Sequence, residues 1–358
     1  MLNCISLSLP LHHGSLGIGW GRRMLGYTAN VKWLGRKLIG SMILLAFFPQ
    51  LETPAQAEQT PTNGTSSQTQ AKPKRKRGAE GTFVLVGAGD IAGCENPGGA
   101  AATAKLIEQI PGTVFAAGDL AYEKGSAEEF KNCYDPAWGR FKDRTKPALG
   151  NHEYVDPTAS AYFQYWGARA GPRGKGYYSY ELGNWHIVVL NTNCYVKDLG
   201  GCGAGSPQEA WLKEDLAKRP NACILAYGHH ALFSSGVFKK HAVHPELKQL
   251  WEDLYAAHAD LILAGHEHSY ERFAPQDPEG KSDPVNGIRE LVVGTGGRSH
   301  DLLGFATANS EVREWGTFGV LKLTLSPGKY AWEFIPEEGK NFHDVGSGAC
   351  HNYPTESD

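Results

Sequence analysis

From residue 81 onward, apolar runs of strand character alternate with helical stretches, the order expected of an α/β domain. The pattern predicts strands in "GTFVLVGAGD" (81–90), "GTVFAAGD" (112–119), "KPALGNHE" (146–153), "ACILAYGHH" (222–230) and "ADLILAGHEH" (259–268). Two more strands fall within 177–193, joined at Gly183-Asn184, and the tail is strand-rich at 289–297, 318–326 and 329–336. Helices are predicted near 99–109, 126–132, 158–166, 206–217 and 245–257. Ser206 and Pro207 open the fourth of these, and Glu209 at its third position suggests a capping box. No internal repeat is visible.

The first eighty residues break this pattern. Residues 22–37 carry five Lys or Arg and no acid, "LIGSMILLAFF" (38–48) follows, and Ala55 and Ala57 precede a predicted cut after Ala57. That is the order of a secretory signal, with an apolar run short for a bilayer span, so export to a periplasmic or extracellular space is expected. The long basic segment allows a start at Met24, and a retained anchoring helix is the alternative to cleavage. Residues 58–80 are polar, rich in Thr, Ser and Gln, and read as a disordered linker, with the basic run Lys72–Arg77 a solvated tether. The domain assignment is thus signal 1–57, linker 58–80 and catalytic domain 81–358.

Removing residues 1–57 takes away five basic residues and one acid, leaving 30 basic against 37 acidic, a net charge of −7. No global field draws such a chain to nucleic acid, and no stable membrane association is expected once the signal is gone. Cys4 leaves with the signal, so six cysteines remain, a number that suggests disulfides in an exported protein. Cys194 with Cys202 and Cys94 with Cys133 are the expected pairs, and Cys223, at the start of an apolar strand, reads equally as a buried thiol.

Five of the apolar runs end in the same way, with Gly followed by Asp90, Asp119, Asn151-His152, His229-His230, or His266 with His268. Singly, each is a turn or a helix cap. Together they bring oxygen and imidazole donors to one edge of an α/β sheet, where ligands of such folds bind. His266 and His268, two residues apart, can point to the same side. Two carboxylates, one amide and three imidazoles exceed the needs of one tetrahedral zinc and suit a pair of ions sharing a carboxylate. No thiol belongs to the set and the spacing is not H-E-x-x-H, which disfavours a zinc finger or zincin.

In order, "GDIA", "GDLAY", "GNHE", "GHH" and "GHEHSYER" resemble the motifs of calcineurin-like metallophosphoesterases, and "GDLAY" with "GHEHSYER" resembles the purple acid phosphatase branch. The resemblance covers about residues 81–336 and implies a four-layer αββα sandwich of mixed sheets with a dinuclear centre at the sheet edge. It implies that Asp90, Asp119, Tyr122 and His268 hold one ion, and bridging Asp119 with Asn151, His229 and His266 the other. It further implies in-line hydrolysis of a small phosphate ester by a metal-bound hydroxide, with His152 beside the leaving group. A phenolate and two carboxylates favour Fe(III) at the first position, and Asn with two His suit divalent Zn, Mn or Fe at the second.

Asn151, His152, His230 and His241 are the candidate substrate contacts, with His244 an alternative to His241. His230 could equally sit behind the donors or be a polar strand end. Glu271 and Arg272 suggest a pair supporting the histidine loop, and "GTGG" (294–297) a close backbone passage. The fibronectin-like domain of plant purple acid phosphatases is not expected. Phosphodiesterase or nucleotidase activity on the same scaffold, and a non-catalytic metal or phosphate binder, are the competing readings.

Overall fold

The computed structural model describes residues 81–237 and 244–353. The signal and linker assigned to 1–57 and 58–80, and the candidate His241, lie outside the described residues.

β1 (Phe83–Ala88) leads through β2 (Ala92–Gly93) into α1 (Pro97–Glu108), β3 (Thr113–Ala117) and β4 (Ala121–Tyr122). α2 (Ala127–Glu129) and α3 (Asp135–Ala137) flank a π-helical segment, Phe130–Tyr134, before β5 (Thr145–Ala148) and α4 (Ser160–Trp166). The hairpin β6 (Tyr178–Leu182) and β7 (Trp185–Val189) is followed by α5 (Pro207–Ala217), β8 (Cys223–Tyr227), α6 (Lys248–Ala256) and β9 (Leu261–Ala264). The remainder is β10 (Tyr270–Phe273), β11 (Arg289–Val293), β12 (Ser310–Glu314), β13 (Gly319–Ser326), β14 (Lys329–Pro336) and β15 (Asp344–Ala349).

These strands form two mixed sheets, in the orders β15-β14-β13-β1-β3-β5 and β12-β10-β11-β9-β8-β7-β6, with β2 and β4 as a small parallel pair. β1, β3 and β5 run parallel in the first sheet, and β7, β8, β9 and β11 run parallel in the second. Period-two side-chain alternation builds the layers. Ile187, Val189, Leu225, Tyr227, Leu261 and Leu263 join the larger core, where the Tyr227 ring lies 5.8 Å from that of Phe115 on β3. The alternate residues Val188, Ile224, Ala226 and Ile262 pack instead with Leu212 and Leu216 of α5 and Leu250, Trp251 and Leu254 of α6. Burying each such side chain contributes roughly 1.5–3 kcal/mol, so the αββα layering is held mainly by apolar contact.

Two local expectations change. Ser206 caps α5, accepting from Glu209 N at 3.2 Å, but the Glu209 carboxylate accepts from Gly205 N; the reciprocal box is formed by Ser126 and Glu129 on α2. Glu271 and Arg272 do not pair, because adjacent residues of β10 point to opposite faces. Glu271 accepts from Ser235 and Ser310, while Arg272 pairs with Asp344 and Glu311.

Among the described residues three disulfides are formed. Cys94–Cys133 and Cys194–Cys202 match expectation. The third, Cys223–Cys350, replaces the buried-thiol reading of Cys223 and ties the first residue of β8 to the residue after β15. No helix among the described residues is long and apolar enough to cross a membrane.

Candidate metal centre

The carboxyl ends of β1, β3 and β5 in one sheet, and of β8 and β9 in the other, deliver the five Gly-led motifs to a single edge. The two sheets meet here directly: Gly89 N donates to Val293 O at 2.8 Å and Gly296 N to Gly89 O at 2.8 Å. Asp90, Asp119 and His266 all adopt left-handed backbone, with φ of 61°, 51° and 71°. A non-glycine residue there costs on the order of 1–3 kcal/mol, a strain that persists only where the surroundings enforce it and that clusters at ligand sites.

The donors fall into two groups. Tyr122 donates its hydroxyl to Asp90 Oδ1 at 2.8 Å and lies 3.1 Å from both Asp119 Oδ2 and His268 Nε2. His229 Nε2 lies 3.2 Å from the same Asp119 Oδ2, 3.1 Å from Asn151 Oδ1 and 3.2 Å from His266 Nδ1. One oxygen, Asp119 Oδ2, therefore touches both groups. Asp90 and Asp119 are at most 1 % exposed.

The ring nitrogens facing these carboxylates are fixed from behind. His229 Nδ1 donates to Ala117 O at 2.9 Å, which turns Nε2 to the centre. His268 Nδ1 meets Ser299 Oγ at 2.6 Å, with the same effect. Thr192 Oγ1 accepts from the backbone N of both His229 and His230. Gly118, at φ +81°, leaves the room for this arrangement: a Cβ there would sit 2.6 Å from the His229 ring.

Charge and burial follow from this packing. Burial opposes ionisation of Asp90 and Asp119, but the neighbouring histidines outweigh it and hold both carboxyls below the usual range. Burial likewise opposes charge on His229 and His268, and the same carboxylates carry each up to about 9. His266 goes the other way, to about 3, through burial and the His229 charge. The Tyr122 hydroxyl is pushed well above 10 by burial and by Asp119 and Asp90. Among the described residues, the ion pairs of both carboxylates are with histidines alone. Dry, convergent oxygen and imidazole donors, without Lys or Arg to neutralise them, fit hard or borderline cations.

His152 stands at the rim, its side chain 27 % exposed. Its backbone N donates to Asp119 Oδ1 at 2.9 Å, and its ring lies 4.4 Å from that of Tyr122. Its Nδ1 is 2.6 Å from Glu123 O; a carbonyl only accepts, so Nδ1 carries a proton and Nε2 is left for the centre. His230 is buried: its Nδ1 meets Thr192 Oγ1 at 2.9 Å, and its ring packs against those of His244 and His266. One ring nitrogen of His230 lies within 4.8 Å of ring nitrogens of His229 and His266, so His230 sits beside these two donors and away from solvent. Of the "GTGG" residues, Gly296 O accepts from Thr103 of α1, and Gly296 N donates to Gly89 O.

Several participants receive no role from the sequence. Glu153, 1 % exposed, accepts from Asp119 N, Leu120 N and Gly150 N at 3.0, 2.8 and 2.8 Å, so one carboxylate ties the loops after β3 and β5. Burial and Asp119 push it up to about 7, against these N–H donors. Thr192, Ser299 and the Glu123 carbonyl were equally hidden, since Ser, Thr and a backbone oxygen announce nothing by themselves.

The family model for calcineurin-like phosphoesterases matches residues 83–270, more than half of the chain. Purple acid phosphatase 23 of Arabidopsis thaliana is 32 % identical over 206 residues, covering 47 % of this chain and 43 % of that protein. Probable purple acid phosphatase 20 of the same plant is 30 % identical over 253 residues, covering 61 % and 53 %. The chain thus spans about half the length of the curated relatives it matches. A purple acid phosphatase isolated from yellow lupin (Lupinus luteus) seeds superposes with a TM-score of 0.61 at 19 % identity, covering 78 % of this chain and 57 % of that one, a likeness of fold.

Proposed function

The chain belongs to the calcineurin-like phosphoesterase family, and from that premise we propose that it is an exported phosphomonoesterase of the purple acid phosphatase type. The observation that carries the reading is the meeting of two donor groups at one carboxylate oxygen, Asp119 Oδ2. Asp90, Tyr122 and His268 would hold one ion with Asp119, and Asn151, His229 and His266 would hold the other with it. The phenol and carboxylates of the first group favour Fe(III), and the amide and imidazoles of the second favour divalent Zn, Mn or Fe.

When bound, such a pair of cations supplies positive charge to the phosphoryl group and depresses the pKa of water. The chain's own groups do the rest. His152, with Nδ1–H held by the Glu123 carbonyl, presents Nε2 to a leaving oxygen and, as the imidazolium with a second proton on Nε2, can donate that proton there. Asn151 and His152 face the small phosphorylated substrate, while His230, bonded to Thr192 and packed beside the His229 and His266 rings, steadies those donors. Three disulfides favour an oxidising, exported location.

Purified protein should be assayed on 4-nitrophenyl phosphate, bis(4-nitrophenyl) phosphate and nucleotides, with metal analysis alongside. The monoester is expected to turn over fastest, two ions per chain are expected, and Asp119→Asn should abolish turnover. Faster diester or nucleotide turnover would reassign the substrate class; full metal with no turnover on any ester would make the protein a binder. If the first ion is Fe(III), the protein is coloured and Tyr122→Phe bleaches it. A colourless, active protein holding two Zn or Mn ions removes the iron assignment and leaves the esterase.

A further inference from the structure

We propose that Arg298 is a positioning residue that sets both the Tyr122 ring and the His152 ring, a role that rests on the metal-centre reading above. Arg298 enters the site from the loop after β11 of the second sheet, its backbone N donating to Asp90 O, at the exit of β1 in the first, at 3.0 Å. The side chain then passes Gly93 so closely that a Cβ there would lie 3.0 Å from Nη1 and 3.1 Å from Cδ. Its guanidinium carbon comes to 5.0 Å from the centre of the Tyr122 ring, and Nη2 ends on the Glu123 carboxylate. The side chain is only 19 % exposed, so this path is a packed one.

Each contact acts on a group already placed at the centre. A guanidinium over an aromatic ring is attracted to its electron density, and more so when the ring is anionic. The opposite end of the same phenol faces the Asp90 and Asp119 carboxylates, at 2.8 and 3.1 Å, which repel negative charge on its oxygen. Arg298 is the counterweight. The second contact works through Glu123, whose backbone carbonyl accepts from His152 Nδ1 at 2.6 Å and whose N donates to Glu129 Oε1 at 2.6 Å. Glu123 is therefore held on one side by the α2 cap and on the other by Arg298, and its carbonyl stays aimed at the imidazole. With the Tyr122 and His152 rings 4.4 Å apart, one side chain braces both.

The test is Arg298→Met, which keeps much of the length and removes the charge, with Arg298→Lys as the conservative rescue. Turnover of 4-nitrophenyl phosphate, whose leaving group needs no proton, is compared with that of an alkyl phosphate, whose leaving group does. Loss of His152 positioning should lower kcat for the alkyl ester about tenfold more than for the nitrophenyl ester, with KM little changed, and Lys should recover part of the difference. In iron-loaded protein the phenolate-to-iron absorption band should move to longer wavelength in the Met variant, because the cation that stabilises the donor orbital is gone. Should Arg298→Met fold poorly, Glu123→Gln breaks the same ion pair from its half-exposed end and should shift the leaving-group ratio in the same direction. An unchanged leaving-group ratio in these variants, with wild-type protein active, overturns the inference and leaves the phosphoesterase reading standing. Wild-type protein inactive on both esters overturns both.

Discussion

Replacing Glu153 by Gln asks whether a single buried carboxylate holds together the two loops that carry Asp119 and Asn151. Oε2 accepts from Asp119 N and Gly150 N, and Oε1 from Leu120 N, at 2.8–3.0 Å. Gln preserves the shape, but one end of its amide is an NH2 that cannot accept. With the amide oxygen at the Oε2 position, Leu120 N faces a donor; with it at Oε1, Asp119 N and Gly150 N do. Each buried N–H left without an acceptor costs about 1–3 kcal/mol, and the surviving bonds lose their charge assistance. A loss of about 2–5 kcal/mol follows, concentrated on a loop already strained at Asp119. Urea unfolding should show a lower midpoint at unchanged m, and metal analysis after dialysis against a chelator should show faster loss of the ions. A Gln variant as stable as wild type that retains its full metal content would refute the tie.

His152→Ala should lower kcat by about 10²-fold or more while metal content stays intact, since the ring meets the centre from the rim; metal loss in that variant would make His152 a ligand. Removing Cys223–Cys350 by the double change to Ser should cost about 2–5 kcal/mol, because the bridge closes a loop of 127 residues; an unaltered thermal midpoint would show that the β15 contacts hold the tail unaided. His186 supplies a pH dependence remote from the metal centre. Burial would depress its imidazolium, yet Asp215 and Glu181 carry it up to about 9, so the folded chain binds that proton more tightly than the unfolded one. Its stabilising effect, on the order of 1–2 kcal/mol after allowing for the exposed Glu181, is complete below about pH 6.5 and lost as pH rises through about 9. The slope should vanish in His186→Gln, and its persistence there would assign it to another group.

Strand exits were legible because each apolar run of the parallel strands is buried on both faces and stops abruptly at Gly plus a donor. β10, β12 and β15 were not. "YERF" and "SEVRE" mix charge with apolar residues because Arg272 and Glu311 pair with each other, and "DVGSGA" has two glycines and only Val345 as a larger apolar side chain, too little to show an alternation. Their stability comes from strand partners distant in sequence: β15 pairs with β14 and ends on the Cys350 bridge. Glu153 was quoted within "GNHE" yet given no role, because what it binds is backbone N–H, which every residue except proline has.

The glycines of the five exits show where a correct pattern carried the wrong cause. From sequence, Gly explains a sharp turn at the strand end. Of Gly89, Gly118, Gly150, Gly228 and Gly265, only Gly118 has positive φ, while Asp90, Asp119 and His266 take the left-handed turn themselves. What most of these glycines provide is the absence of a Cβ. At Gly265 it would lie 2.6 Å from Asp90 Oδ2, and at Gly150 2.0 Å from Asp119 Oδ1. A side chain at either position would occupy the space into which a carboxylate from another strand projects. The strain and the space are thus divided between neighbours: the donor bends so that its side chain reaches the centre, and glycine on an adjoining strand leaves that side chain room. This division explains why the motif repeats at strand exits from both sheets.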